Sequence, residues 1–164
     1  MGVAAALAGL ALASCASGEG TVSVALRAEL PAAWPRPGIL LGLGGVELQE
    51  AGRTLTDEGF SPLPTLRSEV ELHRGAAPVA VAEGRVPADA YGALRVLGTP
   101  RPLGELPGPP LQGILEPIAL PFAVENGWRR ELVVELVLLE EPDRAGSFLL
   151  FVKDARVGPA VPIP

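Results

Sequence analysis

At 164 residues the chain has room for one domain with a sizeable core and too little for two of ordinary size. With 48% apolar residues it is no disordered tail, and 19 acidic against 13 basic side chains leave a formal charge of −6. That balance excludes nucleic acid as a partner, because neutralising phosphates needs clustered Lys and Arg, and Arg129-Arg130 is the only adjacent basic pair.

Aromatic residues make up 4%, so aliphatic side chains must build the core. The 20 Gly and 18 Pro are spread without a collagen-like period and punctuate the chain as turns between many short strands. Scarce amides (Asn126, Gln49, Gln112) and abundant proline suit a thermophile. A GC-rich genome gives the same bias.

The N-terminus opens on an apolar run over residues 3–13, VAAALAGLALA. A bilayer core needs about 20 such residues, so this run is too short to span one and fits the h-region of a secretory signal peptide. Leu12-Ala13-Ser14-Cys15 closes it. This tetrad resembles the lipobox of bacterial lipoproteins, although no basic residue follows Met1. The resemblance implies a diacylglycerol on Cys15, cleavage between Ser14 and Cys15, and anchoring on the extracytoplasmic side of the outer or the cytoplasmic membrane. The competing reading is a short apolar helix holding a buried thiol. Cys15 is the only Cys, which excludes a disulfide and a thiolate metal site. The expected organisation is a signal peptide over 1–14, a lipidated Cys and tether over 15–20, and a β-domain over 21–164.

Residues 21–30 alternate strictly, with Val22, Val24, Leu26, Ala28 and Leu30 on one face, and predict a strand buried on one side and wet on the other. The prolines of residues 31–37 (PAAWPRP) end it. Residues 39–50 read as a second strand, with Gly42, Gly44 and Gly45 marking a bulge or bend, and Gly52-Arg53 as a turn. Residues 70–72 and 79–83 form short strands around a turn at Arg74-Gly75, and residues 91–97 the next. Residues 100–110 read as an irregular proline-rich loop, followed by short strands at 111–115 and 122–124. Asn126-Gly127 predicts a type I′ hairpin. Residues 130–140 alternate as a strand with Leu132, Val134, Leu136 and Leu138 on one face, a helix being the rival reading. Residues 142–146 turn the chain into a last strand over 147–157. Seven to nine short strands without an amphipathic helix predict an all-β antiparallel β-sandwich, with a small barrel as the alternative.

The order of these blocks resembles a known family. Gly20-Thr21-Val22-Ser23-Val24 opens the domain, Val46-Glu47-Leu48 follows, and residues 85–96 (RVPADAYGALRV) are similar to a polar-Leu-Pro-Ala-Gly-x-Tyr-x-x-Ile-Arg-Leu block. With the closing strand over 148–157, the chain looks like domain of unknown function 4382, found in prokaryotic secreted lipoproteins. Asp89 stands in place of the block's Gly, and Glu29-Leu30-Pro31 in place of an Asp-Ala-Pro. The resemblance implies a transthyretin-like or carboxypeptidase-regulatory-like sandwich. It implies no activity and no site residue.

Chemistry is sparse. His73 is the only His, so a multi-His metal site is excluded, and no Gly-x-Ser-x-Gly elbow exists to serve it. Glu140-Glu141 before Pro142 and Asp57-Glu58-Gly59 read as solvated turns, too few oxygens for Ca²⁺. Gly42-Leu43-Gly44-Gly45 lacks the register of a phosphate-binding loop. Trp34 and Trp128 are expected in the core or in turn packing. The chain is therefore expected to be a non-catalytic surface lipoprotein without cofactor. Its expected partners are membrane lipid through acylated Cys15 and another envelope protein. The alternative is a lipoprotein that offers Trp34 or Trp128 and loop carboxylates to a glycan or Ca²⁺.

Overall fold

Period-two alternation is realised as eleven strands in a computed structural model that describes residues 18–55 and 58–164. In chain order they are β1 (Glu19–Glu29), β2 (Gly38–Glu50), β3 (Phe60–Leu63), β4 (Glu69–His73), β5 (Val79–Pro87), β6 (Ala90–Pro102), β7 (Leu111–Ile114), β8 (Ile118–Ala123), β9 (Trp128–Glu140), β10 (Phe148–Val157) and β11 (Val161–Pro162). Ser14 and Cys15 lie outside the described residues.

Two sheets pack as a β-sandwich, and no barrel closes. The first runs β5-β1-β9-β10-β7, with β11 added to β9; the second runs β3-β2-β6-β8, with β4 sharing β2's outer edge. Most pairings are antiparallel, as expected, but β1 lies parallel to β9 and β7 parallel to β10. The core between the sheets is aliphatic. Val22, Val24 and Leu26 of β1 and Leu132, Val134 and Leu136 of β9 are fully buried, each such side chain stabilising the fold by roughly 1.5–3 kcal/mol.

The glycines of β2 do what a bulge requires. Ile39 and Leu41 point inward at odd positions, Val46 and Leu48 at even ones, and the register slips between Leu43 and Gly45. One extra residue thus keeps both halves of a 13-residue strand facing the same core.

Several local expectations are corrected. Asn126-Gly127 does not close a hairpin: β8 belongs to the second sheet and β9 to the first, so the turn carries the chain across the sandwich. Only Gly127 takes a positive φ (76°), whereas a type I′ turn needs one at Asn126 as well. The dipeptide specifies a reversal and leaves open which sheet takes β9. Arg74-Gly75 likewise joins β4 and β5 across sheets. β6 runs on to Pro102, shortening the expected loop. The strands beyond the expected nine are the two-residue β11 and β3, whose Pro62 and lack of alternation suit an edge. β1 begins at Glu19, two residues inside the expected tether. Its outer face is also drier than the alternation predicts. Ser23 (4% exposed) and Ala25 are small, and the Arg129–Glu83 ion pair (2.6 Å) reaches over β1 from the strands on either side.

Candidate functional site

Two poles and one outer face concentrate the polar architecture. At the pole where β1 begins, Gly18 O accepts from Ala88 N (2.8 Å), and Glu19 N donates to Asn126 Oδ1 (3.2 Å). Gly127 N donates to Glu19 O (3.0 Å), and Ile163 N donates to Gly127 O (2.9 Å). The chain is held so closely that a Cβ on Gly18 would sit 2.5 Å from Asn126 Cγ, and one on Gly20 2.4 Å from Val124 Cγ1. An open groove of about 780 Å³ runs along this pole, lined by Glu19, Thr21, Arg85, Pro87 and Ile163 among others. Gly18 is the third residue after Cys15 in the chain.

The opposite pole is knit by arginines acting on backbone carbonyls. Arg74 donates to Leu30 O (2.9 Å), Pro31 O (3.0 Å) and Trp34 O (3.0 Å), and Arg36 to Glu105 O (2.9 Å) and Pro107 O (3.2 Å). Beneath them Trp34 is 2% exposed, donates Nε1–H to Gly38 O (3.1 Å), and meets Phe148 edge to face at 4.9 Å. Trp34 is thus a core plug and offers no stacking platform to a glycan. Trp128 is half-buried where β11 pairs with β9.

On the outer face of the first sheet, Glu135 accepts from both Arg27 and Arg156, and Lys153 Nζ donates to Glu29 Oε2 (2.5 Å). The Lys153 bond and charge hold the Glu29 carboxyl below its usual range, and Glu29 in turn raises Lys153. Beyond this network, toward the arginine-knit pole, the same face turns apolar: Ile114, Val137, Leu139, Leu149 and Phe151 point outward.

The remaining singled-out residues are placed in ordinary structural roles. His73 is exposed at the end of β4, its Nε2 3.0 Å from Glu71 Oε2. Glu140 Oε1 accepts from Gly146 N (2.7 Å), and Glu141 faces Arg144, so the carboxylates close a turn. Gly59 (φ 81°) turns the chain beside Glu58, while Asp57 lies outside the described residues. Gly42 and Gly44 belong to the β2 bulge region and open no helix. Among the described residues no three His, Cys, Asp or Glu side chains gather where a metal ion would sit, and no helix is long and apolar enough to cross a membrane.

Residue-by-residue reading passed over Gln49. It is 1% exposed on the outer face of the second sheet, and its Nε2 donates to Thr54 O (2.7 Å) and Glu58 O (3.1 Å). Beside it Arg95 pairs with Glu47 (2.6 Å) and lies 4.3 Å over the Phe60 ring. The only sequence signal was an amide between Leu48 and Glu50, at a position of β2 that alternation assigns to the outer face. Tyr91, the sole tyrosine, stacks on Phe122 (5.2 Å) and donates to Pro87 O (2.9 Å). Burial and the neighbouring Asp89 and Glu50 push its phenol up.

Compared with known proteins, the chain matches no family model, no curated protein and no solved structure.

Proposed function

We propose that the chain is a lipid-anchored module of the cell envelope that works by binding protein and not by catalysis. The observation that carries this reading is the tetrad Leu12-Ala13-Ser14-Cys15, which follows an apolar run of signal-peptide length and stands three residues before the β-domain begins at Gly18. Two or more acyl chains on Cys15 would give stable attachment where one would be marginal. The resemblance to domain of unknown function 4382 supports the same address.

Geometry beyond Cys15 is compatible with this role. The chain leaves the domain at a pole clamped by Asn126 and Gly127, so a short tether would hold that pole toward the membrane. The arginine-knit pole and the apolar outer rows would then face away from it. Most charged side chains in the folded domain are paired with one another or with backbone carbonyls, as suits a rigid scaffold.

The test is the intact mass of the full chain extracted from bacterial membranes, beside Cys15→Ala. The expected product begins at Cys15 and carries a diacylglycerol, and the variant loses both processing and lipid. An unmodified chain starting at Met1 would overturn the reading.

A further inference from the structure

Asn126 is the only Asn in the chain, and Gly127 follows it. That pair carries chemistry of its own. The backbone nitrogen after an Asn can attack the side-chain amide carbon. A following Gly opposes the attack least, having no side chain and the widest backbone freedom. In a chain with only two other amide side chains, Gln49 and Gln112, the one Asn stands where it is least durable.

The fold holds both reacting groups at one residue of β1. The amide oxygen, Asn126 Oδ1, accepts from Glu19 N (3.2 Å), and the nucleophile, Gly127 N, donates to Glu19 O (3.0 Å). Gly127 O accepts from Ile163 N (2.9 Å), and Trp128 N donates to Glu125 O (3.1 Å), which closes the turn. Gly18 fills the remaining approach. A Cβ there would lie 2.5 Å from Asn126 Cγ and 2.7 Å from Oδ1, so only glycine lets the chain pack this closely on the amide carbon. Asn126 is otherwise exposed, and water reaches the turn.

We propose that Asn126-Gly127 is a self-modification site, a deamidation centre that is shut while Gly18 and Glu19 are seated and reacts when the start of β1 frays. Fraying frees Gly127 N–H and lets the turn rotate. Hydroxide takes the N–H proton, and the nitrogen bonds to Asn126 Cγ. The Cγ–Nδ2 bond then breaks, releasing ammonia and leaving a five-membered succinimide. Water opens that ring in one of two ways. Cleavage between Cγ and the Gly127 nitrogen leaves aspartate at position 126. Cleavage at the main-chain carbonyl leaves isoaspartate, with the chain routed through Cγ. Aspartate keeps an acceptor for Glu19 N and adds one negative charge to a chain of net charge −6. Isoaspartate lengthens the main chain by a methylene and moves Gly127 N off Glu19 O, so the closed state cannot re-form. The site uses no residue before Gly18 and stands whether or not Cys15 carries lipid.

The test follows deamidation at position 126 by peptide mass mapping of the full chain, held at mildly alkaline pH in mild detergent. Two backbone hydrogen bonds of ordinary net strength lower the open population about 30-fold, and the native chain should react slower than the same chain in urea by about that factor. Glu19→Pro removes the donor to Asn126 Oδ1 at the first position of a strand, where proline is tolerated. Gly18→Ala drives a methyl group into the amide. Each should speed deamidation about fivefold, the effect of one such bond, with circular dichroism unchanged. Hydrogen exchange at Gly127 N should rise by the same factor. A native chain that deamidates as fast as the chain in urea overturns the proposal. So does an unchanged rate in both variants, which would mean that the turn's own bonds, and not β1, protect the pair.

Discussion

The two outer faces of the sandwich solve the same problem in different ways. On the second sheet the chain covers itself. Thr54 and Glu58 fold back over Gln49, Arg95 lies against Phe60 and Glu47, and Arg101 pairs with Glu69. On the first sheet the half nearer Gly18 is roofed by ion pairs, and the half nearer the arginine-knit pole carries outward apolar side chains, of which Leu139 is exposed and Val137, Leu149 and Phe151 are half-buried. A sheet face in water is stable when the chain supplies its own polar cover. Where it leaves contiguous Val, Leu and Phe outward, that surface is suited to binding.

The sharpest break in this comparison is between the inner and outer faces of one strand. Leu132→Ala, at a fully buried position of β9, is expected to lose about 2–5 kcal/mol in urea unfolding. Leu139→Ala, on the half-exposed face, should change the stability of the monomer by no more than about 0.5 kcal/mol. Equal losses would mean that something in the chain already covers the outer rows.

Next in size is the latch on the second sheet. Gln49→Ala leaves the Thr54 and Glu58 carbonyls without their donor and is expected to lose about 1–3 kcal/mol. Proteolysis should then fall first next to Thr54 or Glu58. Unchanged stability and cleavage would show that the cover holds without Gln49.

Tyr91 gives a smaller effect with a clean reporter, because the phenolate signal of the folded chain belongs to this residue alone. Its folded-state pKa is raised above the unfolded value, mainly by burial. The associated stability is complete below the unfolded tyrosine range, near pH 10, and is lost as pH rises through the folded value. Alkaline titration should show phenolate appearing above the free-tyrosine range and the melting temperature falling with it. Tyr91→Phe should remove that dependence and lose about 1 kcal/mol at neutral pH. Ionisation at the free-tyrosine value would contradict the burial.

The smallest effect belongs to Glu29 and Lys153, which are both exposed. The lowered Glu29 contributes above the unfolded carboxylate range and loses its contribution as pH falls through its folded value. The raised Lys153 contributes below the ordinary lysine range and loses its contribution as pH rises through its own. Glu29→Gln should therefore change the melting temperature little at neutral pH, and less in high salt.

Much of the strand map was legible because burial on one face leaves a period of two in the sequence. Val22, Val24 and Leu26, and Leu132 through Leu138, identify β1 and β9 directly. The β2 glycines marked their bulge because a phase change between Leu41 and Val46 has no other remedy. Asn126-Gly127 misled because turn chemistry reports a reversal and carries no information about the sheet that takes the next strand. Gln49 went unread because its partners are carbonyls, which every residue has, and its role depends on a loop folding back.

Local composition by itself thus determined the class, the long strands and the apolar run over residues 3–13, since each depends on neighbours within a few residues. Tertiary structure alone decided the parallel pairing of β1 with β9, the burial of Trp34 beneath Arg74, and which outer rows remain uncovered. Those outcomes depend on contacts between residues about 40 to more than 100 positions apart, and a strand's periodicity is the same whichever neighbour it finds.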